Sequence, residues 1–421
     1  MITKPKGTYD VYGTSAKYFN YINGVFSTVA EYYNYKYIRT PLFESSDLFH
    51  RTVGETSDIV SKETYDFCDR GDRNVTLRPE GTAGVVRSYI ENKMYGDANQ
   101  PIKLYYSGTM YRYERPQAGR YREFSQFGVE VLGSDSPMQD AEVISLAYRT
   151  LEELGIDDIT VKINTLGDNE SRNNYREALV KYLEPHINDL CPDCKERFKT
   201  NPLRILDCKA DKDSDILKNA PSILEYLNEE SNNRFKKVLE FLNHLDVDYE
   251  IDSSIVRGLD YYNHIVFELV TNMPELGNAN TLGAGGRYNN LVENLGGPST
   301  PCVGWACGLD RLMIILNELN KDKEITENID VYIMAVNEEE KITAMKLAQD
   351  LRWSELKVEL DTLDKGLKGQ FKAADRLNAR LLVILNSEDL NKGLITVKDN
   401  LTKEEVKIDE SEILDYIISN L

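Results

Sequence analysis

The chain has 421 residues, 41% of them hydrophobic and 29% charged, and a net charge of −20. That length exceeds one ordinary core and predicts two or three domains, while the acidic balance excludes a protein that coats nucleic acid indiscriminately, because its mean field repels a polyanion. No apolar run approaches the roughly 18 residues of a bilayer span, the N-terminus lacks a hydrophobic signal core, and six cysteines are too few for a disulfide scaffold, so no membrane partner and a reducing, cytoplasmic setting are the default expectation.

After a short arm, residues 15–35 carry Phe19, Ile22, Phe26, Val29 and Ala30 at helical spacing. Residues 35–44 follow as a strand that Pro41 confines to an edge, a surface a second subunit could cover. Residues 103–133 predict strand, turn and strand, then a helix through Asp140 to Leu154. From 169 to 252 helical periodicity dominates, as in Ile223, Tyr226, Leu227 and then Phe235, Val238, Leu239, Leu242, which reads as an insertion. Strand signals return over 255–271 and in the glycine-dense 282–288. A polar stretch over 320–328 reads as a linker. Beyond it a strand at 331–336, a helix at 341–351, a strand at 357–360, a further helix and the apolar run 381–385 predict a small parallel or mixed α/β domain.

The stretch Tyr111-Arg112-Tyr113-Glu114-Arg115-Pro116-Gln117-Ala118-Gly119-Arg120-Tyr121-Arg122-Glu123-Phe124 sets two arginine-bearing arms around a Pro/Gly turn. Strand alternation puts Phe124, Gln126, Gly128 and Glu130 on one face and Phe127, Val129 and Val131 on the other. A ring, guanidinium forks and an amide and carboxylate on one surface suit a nucleotide better than a metal. Arg78-Pro79-Glu80-Gly81-Thr82 offers a carboxylate and a hydroxyl on one turn, which can hold an ammonium group or simply start a helix. Arg257-Gly258-Leu259-Asp260-Tyr261-Tyr262 sets a cation beside two phenols. In Gly308-Leu309-Asp310-Arg311-Leu312-Met313 an apolar stripe of Leu309, Leu312, Met313 and Leu316 leaves Arg311 to project toward a pocket. Neither a Walker phosphate loop nor a strand-linked G-x-G-x-x-G occurs, so arginines have to supply the phosphate contacts.

Cys191-Pro-Asp-Cys194 with Cys208 downstream looks like part of a zinc knuckle, with His186 as a candidate fourth ligand. The second C-x-x-C is missing, so free thiols are the expectation, zinc is not expected, and no metal site is assigned. Lys365, Lys368, Lys372, Arg376 and Arg380 recur at three- and four-residue steps and predict one basic helical stripe.

Together these segments resemble the class II aminoacyl-tRNA synthetases. Arg112-x-Glu114 followed by Arg120-x-x-x-Phe124 is similar to motif 2, residues 308–311 to motif 3, and residues 38–44 to motif 1. Residues 257–262 and 282–288 resemble the two signatures of the histidyl-tRNA synthetase family. The resemblance implies an α+β catalytic domain with a mostly antiparallel sheet flanked by helices, over 1–168 and 253–319. A helical insertion over 169–252, a linker over 320–328 and an α/β anticodon-binding domain over 329–421 complete it. It further implies a cytoplasmic homodimer that joins L-histidine to its tRNA with ATP, and Mg2+ as the ATP partner. By position, Arg112, Glu114, Arg120, Phe124 and Arg311 would bind ATP, with adenine between Phe124 and Arg311. Glu80, Thr82, Gln126, Glu130, Arg257, Tyr261 and Tyr262 would bind histidine, with Glu130 and Tyr262 bracketing the imidazole. Arg257 and Arg112 would be catalytic, Arg115 and Gln117 would meet the tRNA acceptor end, and the basic stripe would meet the anticodon region. Asp310 stands where the family commonly has glutamate, and Asn289 where it has aspartate. The rival reading is a catalytically inactive, histidine-sensing regulatory paralogue. Such paralogues usually lack the C-terminal domain and lose the ATP-binding arginines, both of which this chain keeps.

Overall fold

The computed structural model describes residues 1–53, 63–208, 210–211, 213–256, 261–273, 280–321, 325 and 328–421. The chain divides into two compact units, Met1–Asp322 and Lys323–Leu421. No helix among the described residues is long and apolar enough to cross a membrane.

The strands of the first unit are β1 (Lys36–Tyr37), β2 (Phe43–Ser45), β3 (Tyr65–Cys68), β4 (Asn74–Leu77), β5 (Ile102–Tyr111), β6 (Glu123–Leu132), β7 (Thr160–Thr165), β8 (Tyr249–Ile251), β9 (Asn263–Val270), β10 (Thr281–Arg287) and β11 (Cys302–Gly308). Eight of them form one sheet in the order β1-β5-β6-β11-β10-β9-β7-β8, and β2-β4-β3 form a small one. Only the two edge pairings, β1 with β5 and β7 with β8, are parallel; the rest of the large sheet is antiparallel. The strand expected over 35–44 is split: β1 edges the large sheet as expected but stops at Tyr37, and beyond Pro41, which has no N–H to continue a ladder, the chain joins the small sheet as β2.

The predicted alternation of β6 decides what each face of the sheet does. Phe127 packs edge-on against Phe26 with ring centroids 4.7 Å apart, so its face is covered by the helix Thr14–Tyr32. That helix starts and stops close to expectation, but its first buried anchor is Tyr18 rather than Phe19. The opposite face, bearing Gln126 and Glu130, meets the helix Thr82–Glu91 and a core that includes Val85, Tyr106, Tyr175, Leu179 and Leu203. The segment predicted to be helical contains the helices Asn169–Leu183, Pro192–Thr200, Asp215–Lys218 and Glu229–His244. Its Ile223–Glu225 stretch is one 3-10 turn, because Asn228 caps a new helix three residues later by accepting from Ser231 N at 2.9 Å. Residues of this segment share the core of the catalytic face, so the first unit is continuous through them.

In the second unit β12 (Val331–Met334), β13 (Val358–Leu360), β14 (Leu381–Ile384), β15 (Leu394–Asp399) and β16 (Glu405–Asp409) order as β13-β12-β14-β15-β16. β13, β12 and β14 pair in parallel, and β15 and β16 add antiparallel on the β14 side, which makes the sheet mixed. Val331 and Ile333 pack with Ala344, Leu347 and Ile417 on one side, while Tyr332 and Met334 pack with Ala373 and Ala374 on the other. Both faces are therefore covered, which is why this strand reads as an unbroken apolar run.

The basic stripe is shorter than its spacing suggests. Lys368, Lys372 and Arg376 lie on the helix Leu367–Arg376, but Lys365 precedes it and pairs with Asp361 at 3.7 Å. Arg380 follows it and pairs with Asp399. Gly366 and Asn378, the latter at a φ of 50°, break the periodicity at the two ends.

Candidate active site

A cleft of about 390 Å³ opens on the catalytic face and is lined by Arg112, Glu114, Arg120, Phe124, Gln126 and Arg311 among others. All five residues expected at the nucleotide thus share one cavity, together with the amide expected at the amino acid. Its far wall is Glu268 of β9, Thr281–Ala284 of β10 and Ala306–Gly308 of β11, whose small residues leave the space open.

The hairpin between β5 and β6 builds the near wall. Its strands stay in register from Ile102 opposite Leu132 to Tyr111 opposite Glu123, and the chain between them turns at Gly119, whose φ is 67°. A Cβ there would press within 2.9 Å of the Arg311 side chain, so glycine serves both the turn and the approach. Arg311 donates from Nε to the Gly119 carbonyl at 3.3 Å and from Nη1 to the Thr281 carbonyl, which fixes its plane across the cleft. Arg120 reaches Glu114 at 3.3 Å, and Arg112 is tied through Nε to the Pro79 carbonyl at 2.9 Å. The Arg112 guanidinium lies 5.2 Å from the Phe124 ring centroid. Burial and the neighbouring Arg120 both push the Arg311 pKa below the ordinary arginine value, which marks a site where cations converge before any anion arrives. Arg115 and Gln117 are exposed at the hairpin tip.

The strand continues from Gln126 to Glu130, about 13 Å along at the usual rise per residue. Glu130 is buried, and its neighbours follow from register. Gly304 stands opposite it on β11 and supplies no Cβ, and Tyr288, just past β10, donates its hydroxyl to Oε2. Thr82 donates to Oε1 at 2.7 Å. Glu130 and Tyr262 were expected to bracket a ring between them; the hydroxyls bonded to the Glu130 carboxylate are those of Tyr288 and Thr82, and Tyr262 lies in the neighbouring aromatic cluster, 6.5 Å from Tyr288 and 4.7 Å from Tyr261. Burial pushes the Glu130 carboxyl up to about 8, against the two hydroxyls that favour its ionised form. Between Gln126 and Glu130, Gly128 leaves room for the Tyr106 ring, whose hydroxyl a Cβ would strike. Among the described residues the buried Gln126 Oε1 has no partner, which suits it to act as an acceptor.

Glu80 was expected at the amino-acid end. Its two oxygens accept from Thr82 N at 2.6 Å and Ala83 N at 2.9 Å, so the carboxylate caps the helix Thr82–Glu91 and keeps lone pairs for an ammonium group. The helix-start reading and the ligand reading of this turn are therefore compatible. Arg257, with Gly258 to Asp260, lies outside the described residues; Val256, the residue before it, lines the cleft.

Several members of the site had no sequence signal. Tyr106 was hidden among 26 tyrosines. Tyr9 donates to Asp310, whose other oxygen accepts from Ser125 N at 2.9 Å, so the shorter aspartate is satisfied by reaching β6 and the N-terminal arm. Asn289 likewise accepts from Arg287 at 3.3 Å and from Cys302 N at 3.2 Å.

Substituting Gly304 by alanine should test how tightly Glu130 is seated. The added Cβ would collide with its carboxylate and come within 2.5 Å of the Val129 carbonyl. We expect a loss of roughly 1–3 kcal/mol in a thermal or urea melt.

Known proteins resemble this chain over nearly its whole length. Residues 7–312 match the family model described as Histidyl-tRNA synthetase, and residues 330–420 match the one described as Anticodon binding domain. A histidine–tRNA ligase of Bacillus cytotoxicus is 50% identical over 417 residues, covering 99% of both chains. One of Bacillus subtilis is 47% identical over 99% of this chain and 98% of its own. The crystal structure of apo S. aureus histidyl-tRNA synthetase superposes with a TM-score of 0.85 at 42% identity, over 99% of this chain and all of that one.

Proposed function

From the premise that this chain belongs to the histidyl-tRNA synthetase family and is an ATP-dependent histidine–tRNA ligase, we propose how its own residues divide the work. The observation that carries the assignment is the joining of the arginine-lined cleft to the Gln126–Glu130 strand. Glu80 and Thr82 receive the α-amino group, and Gln126 orients the amino acid. Glu130 takes one side of the imidazole, supported by the hydroxyls that hold it, and Tyr261 and Tyr262 close the other. Imidazole has two distinct ring nitrogens, so an acceptor and a phenol on opposite sides select it over other flat side chains.

Phe124 and Arg311 hold adenine, Arg112 the α-phosphate, and Arg120 with Arg311 the outer phosphates. A histidine carboxylate oxygen attacks the α-phosphorus in line as the bond to pyrophosphate breaks, and Arg257 and Arg112 offset the charge that builds there. No side-chain nucleophile is needed. Magnesium would travel with ATP and neutralise the departing pyrophosphate, and Glu114 and Glu268 on the cleft wall are hard oxygen donors that suit it. A ribose hydroxyl of the tRNA terminus then attacks the acyl carbon and releases AMP.

The exposed Arg115 and Gln117 suit the acceptor end, and Lys368, Lys372 and Arg376 form the compact cationic face for the anticodon region. We place the catalytic domain at 1–168 and 253–319, the insertion at 169–252 and the anticodon-binding domain at 329–421. Exposed Tyr37, Leu42, Phe43 and Phe67 around the edge strand support a homodimer, and a cytoplasmic location fits its work on tRNA. Full-length kinship with ligases, with Arg112, Arg120 and Arg311 retained in one cleft, speaks against the sensor.

Histidine-dependent exchange of labelled pyrophosphate into ATP tests the assignment. The unmodified chain should exchange, and Arg257→Ala should abolish exchange while leaving the circular dichroism spectrum intact. Full exchange by that variant would remove Arg257 from the chemistry.

A further inference from the structure

The segment after the helix Asn169–Leu183 gathers Cys191, Cys194, Cys208 and Asp211, whose ligand atoms all lie within 4.8 Å of one another. The missing second half of the knuckle is therefore present, as Cys208-x-x-Asp211, and the fourth donor is this aspartate and not His186, whose ring instead meets Tyr182 at 5.7 Å. We propose that this cluster is a structural zinc site, closed by three thiolates and one carboxylate.

The distances carry the assignment. A zinc–sulfur bond of about 2.3 Å and tetrahedral angles put neighbouring sulfurs about 3.8 Å apart, and a sulfur and a carboxylate oxygen about 3.6 Å apart. Cys191 Sγ and Cys208 Sγ are 3.6 Å apart, and Cys208 Sγ is 3.6 Å from Asp211 Oδ2. Two edges of the tetrahedron thus exist already. Asp211 Oδ2 also accepts from Cys191 N at 3.0 Å, which holds the two halves in place. Cys191 is the N-cap residue of the helix Pro192–Thr200 and Cys194 sits in its first turn, so one helix start supplies two of the four ligands.

Cys194 and Cys208 are buried, while Cys191 and Asp211 are half-buried, so an ion can enter but is enclosed once bound. Three soft donors select zinc over calcium or magnesium, and four protein donors leave no open position for catalysis. The role is mechanical. Asp207, adjacent to Cys208, lines the cleft that holds the arginines, so a metal fastening Cys208 and Asp211 to the helix would steady that wall. Zinc binding replaces the thiol protons, which pass to solvent, and involves no electron transfer.

The purified full-length chain, grown with zinc and assayed by plasma mass spectrometry, should carry one zinc per chain. Exchange for Co2+ should give sulfur-to-cobalt charge-transfer absorption with the intense visible bands of tetrahedral coordination. Cys208→Ser and Asp211→Asn should each lose most of the zinc, whereas Cys68→Ser, at an exposed cysteine remote from the cluster, should keep all of it. The metal and cobalt measurements on the unaltered chain stand even if a variant misfolds. A fully reduced chain with no zinc and no cobalt absorption, or a disulfide between Cys191 and Cys208 in place of metal, would overturn the proposal.

Discussion

Glu130→Gln is expected to lower kcat/KM for histidine by on the order of 10² to 10³ while leaving the KM for ATP within about twofold, because the amide keeps the size of the carboxylate and loses its charge. The loss should come from the imidazole end alone. Thr82 and Tyr288 both donate to Glu130, and an amide offers one oxygen where the carboxylate offered two, so one of those hydroxyls is left to compete with the ligand. Pyrophosphate exchange at varied histidine and fixed ATP reads the effect directly. A change confined to the ATP dependence would place Glu130 outside histidine recognition.

The same residue gives a pH signature. In the folded chain burial holds its carboxyl up to about 8, whereas an exposed glutamate titrates near 4.5. Between these values the native state keeps a proton that the unfolded state has lost, so stability falls as pH rises. The contribution is fully present below about 4.5 and gone once pH has passed 8. Glu80 and Asp310 are also raised by burial, so the whole slope is shared, and the difference between wild type and Glu130→Gln isolates this one group. Urea melts across that range should show a shallower decline for the variant. Histidine binding at pH 7 should release a proton as the imidazole N–H takes over the carboxylate, giving a calorimetric enthalpy that depends on buffer in the wild type and does not in the variant.

The parts legible in the sequence were those where one periodicity served one purpose. The alternation of β6 gave both faces correctly, because residues 124–130 pack against a helix on one side and a site on the other. The gathering of Arg112, Arg120 and Arg311 in one cleft was legible because the chain has no glycine cradle that could take their place. What escaped were contacts between positions distant in the chain and chemically ordinary. Tyr288 reaches Glu130 across 158 residues, and Tyr9 reaches Asp310 across 301, through phenols that resemble any surface tyrosine. The basic stripe was overread because spacing ignores helix ends, and Gly366 and Asn378 end this helix inside the pattern. The gathering of Asp211 with the three cysteines was not legible, because the C-x-x-C rule looks for a thiol where this chain has an aspartate.

Arg311→Ala is expected to cut ATP-dependent exchange by roughly 10² to 10³, with the loss shared between kcat and the KM for ATP, and Arg311→Lys should recover less than a tenth of it. The reasoning starts from how the side chain is held. Its Nε and Nη1 donate to the carbonyls of Gly119 and Thr281, one on each wall of the cleft, so the guanidinium plane is set before a nucleotide arrives. A lysine ammonium has the charge but neither the plane to lie against adenine nor the fork to span two carbonyls. Burial first, then Arg120 and Arg112, hold the Arg311 pKa below its ordinary value against the opposing Glu114 and Glu268, so the repulsion among the three cations is incompletely compensated until a polyphosphate enters. That repulsion is stored at the site and released on binding ATP, which makes the arginines a unit, and removing two of them should cost much less than the product of the single losses. A double-mutant cycle of Arg120→Ala and Arg311→Ala in the exchange assay measures that coupling. Strict additivity would mean that the two guanidinium groups act on separate parts of the nucleotide and that the shared field proposed for this cleft does not exist.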